Sequence, residues 1–133
     1  MAATTWAPGL TDTDILIDAA RGLPEAGRFL AEQQAGGSVQ ISIVSAMELV
    51  VGCRDTEELA RVRQFLASVL VHPIRESVSR VAYDLVASLW LSHGLLAPDA
   101  LIAGTAREQG LKLYTKNLRH FRMIPELVAD RPY

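Results

Sequence analysis

Four positions carry oxygen-bearing side chains where a reactive centre would need them: Asp12, Glu48, Asp99 and Asn117. Each stands beside an apolar run that reads as a strand, or at the start of a helix. Taken singly, the carboxylates have structural uses, because an acid in the first helical turn caps free N–H groups and complements the helix dipole. Asp99 reads that way as a cap, and Glu48 as the partner of Ser45 in a capping box. Those uses do not explain why the residues fall at one edge of one sheet. Clustered carboxylates raise one another's pKa unless a cation sits among them. A hard divalent ion such as Mg²⁺ takes oxygen ligands, keeps several waters and is held by a few carboxylates with substrate phosphates. It lowers the pKa of a bound water and stabilises charge that builds on phosphorus. The predicted chemistry is metal-assisted hydrolysis of a phosphodiester.

The elements that must position these groups follow from apolar spacing and from Gly and Pro punctuation. Leu10 to Ile17 reads as a strand edge that turns into a helix near Asp18. A helix over 23–35 puts Leu23, Ala26, Phe29 and Leu30 on one face and stops at Gly36 and Gly37. Val39, Ile41 and Ile43 alternate with polar residues as a strand does. A helix from Ser45 to Val51 and another over 56–69, capped by Thr56, come next, and then a short strand over 70–74. The longest helix, 77–93, turns Val78, Val81, Leu85 and Leu89 to the core and closes at Gly94. Pro98 opens a helix where a missing N–H costs nothing, and that helix carries Asp99 in its first turn and runs to Gly110. A last strand over 111–115 precedes a tail whose Phe121, Ile124 and Leu127 must fold back. Strands separated by helices predict an α/β fold with a parallel sheet covered on both faces. Ligands of such sheets sit beyond the carboxyl ends of the strands.

At 133 residues, half of them hydrophobic, the chain is expected to form a single domain over 1–133 with its own core. Its one cysteine, Cys53, excludes an internal disulfide or a cysteine-based zinc site and reads as a small buried or half-buried apolar group. No targeting segment and no membrane span is evident, so a cytoplasmic protein is expected. The formal charge of −2 conceals a gradient: 7 basic against 12 acidic residues up to Asp99, then 6 against 3.

Four stretches carry a family resemblance. Leu10 to Asp18 (LTDTDILID), Ser45 to Gly52 (SAMELVVG), Pro98 to Ala106 (PDALIAGTA) and Tyr114 to Phe121 (YTKNLRHF) resemble, in order and interval, the motifs of the PIN domain. More narrowly, they resemble VapC-type toxins of bacterial toxin–antitoxin pairs. The resemblance implies a three-layer α/β/α PIN-like fold and an Mg²⁺- or Mn²⁺-dependent endoribonuclease. It also implies a homodimer inhibited by a cognate VapB-type antitoxin. By motif position Asp12, Glu48 and Asp99 would be the catalytic, metal-binding triad, with Thr13 and Thr115 as supports. Asn117 stands in place of a fourth carboxylate, and His120 where some relatives have an acid; both departures count against a fully built second metal site. Asp14, where Asn is common, is assigned to a helix cap in preference to the metal shell, and Asp18 to a solvated or capping role.

Lys112, Lys116, Arg119, His120 and Arg122 crowd the fourth motif, and Arg107 lies on the helix of Asp99. They read either as a solvated face or as a groove for the phosphates of single-stranded or looped RNA, with Lys116, Arg119, His120 and Arg122 in contact. His72 and His93 read as ordinary side chains, and Tyr83 and Trp90 as core or dimer surface. The Asp12-Thr13-Asp14 run also resembles the D-x-D of haloacid-dehalogenase-type phosphatases, but Leu16 stands at the next signature position and no downstream acidic pair follows. A receiver domain lacks its phosphoryl-accepting Asp. A catalytically weak PIN scaffold acting through a protein partner has only the missing fourth carboxylate in its favour.

Overall fold

The computed structural model describes residues 6–133. Five short strands, β1 (Gly9–Thr11), β2 (Gln40–Ser42), β3 (Leu70–His72), β4 (Lys112–Tyr114) and β5 (Ala129–Asp130), form one parallel sheet in the order β3-β2-β1-β4-β5. Seven helices connect them: α1 (Thr13–Ala20), α2 (Pro24–Ala35), α3 (Ile43–Val51), α4 (Thr56–Ala67), α5 (Glu76–His93), α6 (Ala97–Glu108) and α7 (Leu118–Phe121). The order reverses at β1, so β1 and β4 flank the crevice where a parallel sheet presents its ligand site.

Burial makes three layers. Leu10 and Leu113 are paired in register and face one layer, with Ala82 and Leu85 of α5, Ala103 of α6, and Phe121 and Ile124 of the returning tail. Tyr114, the next residue of β4, packs on the opposite side with Ile15 of α1 and Phe29 of α2. Leu16, Ile41 and Ala46 extend that second side and meet Phe65 and Leu66 of α4. The interruption of the first strand by glycine has a packing cause: a Cβ at Gly9 would come within 2.5 Å of the Tyr114 ring. Tyr114 fills that space, meets Trp6 and Phe29 edge-on, and donates its hydroxyl to the Ala7 carbonyl at 2.6 Å.

Several expectations are corrected. The first helix begins at Thr13 and not near Asp18, because Asp12 is its N-cap and accepts from the Thr13 N–H. Asp14 therefore does not cap it. Ile43 belongs to α3 and not to a strand, since Ser42 ends β2 and caps the helix through the Val44 N–H. That removes the capping box from Ser45 and Glu48. Asp55, not Thr56, caps α4 by accepting from Glu58 N–H, and β3 stops before Pro73. Strand β5 was not expected at all; two residues of ordinary polarity give no alternation to read. The long helix closes as expected, with Gly94 in the left-handed conformation (φ 67°). Among the described residues no helix is long and apolar enough to cross a membrane.

Candidate active site

The carboxyl ends of the central strands each deliver one group. Asp12 follows β1 directly and is only 6% exposed. Its backbone N–H extends the sheet to the Tyr114 carbonyl, and its side chain accepts from the Thr13 N–H at 2.8 Å and the Thr115 hydroxyl at 2.7 Å. Thr115, fully buried after β4, also receives the Asn117 N–H at 3.0 Å, which fixes its hydroxyl toward Asp12. Burial, and then the charge of Asp14, push the Asp12 carboxyl up to about 7 despite those bonds. Asp99 lies in the first turn of α6, and its carboxyl is raised by burial and by the charges of Glu48 and Asp14; His120 opposes the rise. The closest approach of His120 to Asp99 is 3.6 Å. Glu48, on the exposed side of α3, accepts from Thr13 Oγ1 at 2.7 Å.

Asp14 turns to the fourth motif. Its Oδ2 accepts from the Lys116 N–H at 2.9 Å and lies 3.4 Å from Thr115 Oγ1, and its Oδ1 is buried without a hydrogen-bond partner among the described residues. Burial raises its carboxyl too. Asp12, Asp14, Glu48 and Asp99 thus form a chain of mutually felt charges. All their donors are oxygens, the carboxyls of Asp12, Asp14 and Asp99 are held above the usual carboxylate range, and one buried oxygen is orphaned. Among the described residues no three His, Cys, Asp or Glu side chains converge tightly enough to enclose an ion by themselves. The all-oxygen donor set and the orphaned Asp14 oxygen are of the kind a hard divalent ion takes, which accepts carboxylates together with water and substrate oxygens.

The basic groups divide. Lys116 pairs with Asp18 at 2.5 Å, and Tyr133 donates its hydroxyl to the same carboxylate at 2.7 Å, which holds Asp18 below the usual carboxylate range. Asp18 is therefore engaged rather than solvated. Lys112 pairs with Asp130 and Arg107 with Glu126. Arg119, His120, Arg122 and Asn117 remain exposed around the fourth motif, and the Asn117 amide is not tied to the acids. The roles of Asp18, Tyr133 and Ser45 were missed from sequence. A signal existed for two of them: Asp18 is one turn from Asp14, and Ser45 one turn from Glu48, so each shares a helix face with an acid already singled out.

Two further surfaces stand out. An apolar groove of about 890 Å³ runs between α1, α2, α3 and α4, walled by Leu16, Leu30, Leu49 and Phe65, and it shares Glu48 with the acidic cluster. On α5, Tyr83 and Leu91 are 74% and 93% exposed and Trp90 is half-exposed, which excludes the core reading for Tyr83 and Trp90. Cys53 is half-buried as expected, its thiol donating to the Leu49 carbonyl. His72 is buried against Gln40, 2.8 Å away.

The PIN domain family matches residues 10–127. Ribonuclease VapC10 of Mycobacterium tuberculosis is 40% identical over 119 residues, 89% of this chain and 89% of that protein. Ribonuclease VapC19 of the same organism is 37% identical over 120 residues, 89% of this chain and 95% of that one. A chain of a toxin–antitoxin complex from Klebsiella pneumoniae superposes with a TM-score of 0.78 at 31% identity, covering 94% of this chain and 98% of that chain. A chain of DNA-bound VapBC from Salmonella typhimurium gives 0.82 at 23% identity, covering 96% and 100%, and bears on the fold alone. With the ordered motifs, the parallel five-stranded sheet and the acidic crevice all in agreement, this chain belongs to the PIN domain family, in its VapC branch.

Proposed function

We propose that this chain is the toxin of a type II toxin–antitoxin pair, a cytoplasmic, Mg²⁺- or Mn²⁺-dependent endoribonuclease formed by one domain over 1–133. The observation that carries this reading is the electrostatic frustration of the crevice. Burial and neighbouring negative charge raise the carboxyls of Asp12, Asp14 and Asp99, Asp12 up to about 7, so the site is poised for a cation and incompletely ionised without one. Asp12, Glu48 and Asp99 would hold the ion, with Asp14 as a neighbouring negative charge. When bound, the ion supplies an acidic water and stabilises negative charge on phosphorus.

The protein's own groups do the rest. Thr115 orients Asp12 and Thr13 orients Glu48, so neither carboxylate needs reordering when substrate arrives. Arg119, His120 and Arg122 would take RNA phosphates beside the acids. Lys116 keeps its charge near the groove but has Asp18 to share it with. The VapB-type antitoxin would lay an apolar segment in the groove beside α1 and α4, where it stands next to Glu48 and obstructs the crevice. The homodimer would use the Tyr83, Trp90 and Leu91 face of α5.

The test is cleavage of a structured RNA by the purified, antitoxin-free protein. Mg²⁺ or Mn²⁺ should support cleavage, chelator should stop it, and Asp99→Asn should lower it by about a hundredfold or more at unchanged melting temperature. Cleavage in chelator, or an Asp99→Asn protein with full activity, overturns the mechanism. A metal-loaded protein with no nuclease activity that still binds its antitoxin would favour the scaffold reading, for which the neutral Asn117 speaks.

A further inference from the structure

Glu48 is the one proposed ligand on an exposed stretch of helix, yet its carboxylate is not free to swing. Thr13 Oγ1 stands 2.7 Å from Glu48 Oε1 and 2.8 Å from Ser45 Oγ. A threonine hydroxyl has one proton, and an ionised carboxylate only accepts. That proton therefore goes to Glu48, and Ser45 must turn its own proton to Thr13; otherwise two oxygens would face each other at 2.8 Å with no hydrogen between them. Ser45 is wholly buried and Thr13 is 7% exposed, so water is not at hand to replace either partner. Thr105 in α6 takes the common helical option and donates back to the Leu101 carbonyl, whereas Ser45 Oγ is turned across to the first turn of α1.

We propose that Ser45 is a positioning residue for Glu48, acting through Thr13. Its hydroxyl commits the single Thr13 proton to the carboxylate and presets Glu48 for the ion. Without Ser45, the Thr13 hydroxyl loses the donor that fixes its rotation, and Glu48 is held by an oxygen that can also turn away. This rests on the reading of Glu48 as a metal ligand. Ser45 itself would touch neither ion nor RNA.

The experiment is Mn²⁺ binding to the full chain without RNA or antitoxin, followed by calorimetry, with thermal melting as a separate control. Thr13→Val, which removes the direct partner of Glu48, should weaken Mn²⁺ by about tenfold or more, and Ser45→Ala, one bond further out, by several-fold up to about tenfold. Ser45→Thr, which keeps the hydroxyl, should recover most of that loss. In a Thr13→Val background, Ser45→Ala should add no further loss, because the link it acts through is gone. The proposal is overturned by Ser45→Ala binding Mn²⁺ as wild type does, or by the loss persisting in full beside Thr13→Val. A wild-type protein that takes up no Mn²⁺ defeats the metal reading itself, and the relay with it.

Discussion

The two flanks of the acidic crevice are built in opposite ways. On the β1/β4 flank, Asp12 and Thr115 are buried, bonded to each other at 2.7 Å and anchored through backbone N–H groups of Thr13 and Asn117. On the α6/α7 flank, Asp99 faces a half-exposed His120 at 3.6 Å, and Asn117, Arg119 and Arg122 point to solvent. One flank is part of the sheet and its geometry is set by folding. The other is a surface that binding must complete. A protein built this way can fold with one flank complete while the other, on the function proposed above, waits for metal and RNA.

The sharpest way to break this contrast is pH, since the buried flank should couple charge to folding most strongly. The Asp12 carboxyl lies near 3.8 when unfolded and at about 7 when folded, so the native state favours its neutral form. That contribution is fully present below about pH 4 and is lost as pH rises through 7, which makes metal-free protein less stable at pH 8 than at pH 5 by roughly 3 kcal/mol. Urea midpoints in chelator measure this; Asp12→Asn should flatten the profile, and added Mg²⁺ should oppose the loss at pH 8. Equal midpoints at both pH values for wild type would dismiss the strain assigned to Asp12.

Next in size is a pair of deletions. Thr115→Val strips the buried Asp12 of a donor and the Asn117 N–H of its acceptor, and should cost about 2–3 kcal/mol. His120→Ala, on the open flank, should stay within about 0.5 kcal/mol while reducing cleavage. Comparable destabilisation by both would erase the distinction between the flanks. Tyr133→Phe removes one of two donors to Asp18 and should cost about 1 kcal/mol or less in thermal unfolding, with cleavage unaffected. The finest test is salt dependence of RNA binding. Replacing Arg119 or Arg122 by Ala should lower the slope of log affinity against log salt by about 0.7 each, whereas Lys116→Ala should change it less because Asp18 already shares its charge.

Much of this arrangement was legible in sequence because it is local. Gly36, Gly94 and Pro98 punctuate helices by their own backbone chemistry, and Asp12, Glu48, Asp99 and Asn117 fall just past apolar runs or at helix starts, where a parallel sheet opens its crevice. What was not legible depends on partners far along the chain. Asp14 reads as a cap from its spacing, yet its Oδ2 is claimed by the Lys116 N–H, 102 residues away. Asp18 reads as solvated until Lys116 and Tyr133 arrive beside it. Ser45 and Glu48 have capping-box spacing, but Ser42 sits closer to the strand end and takes the cap, which frees Ser45 for Thr13.

The hydroxyl that holds Asp12 comes from a residue 103 positions later. At ribosomal rates of about 5–20 residues per second, the first acid therefore exists for roughly 5–20 seconds before its partner is even synthesised. Strands β1 and β4 can pair only after that interval, so the crevice closes well after β1 has been made. Whatever the crevice does, it cannot do until Thr115 has been made, so its first acid is the earliest part of the site and its support among the latest.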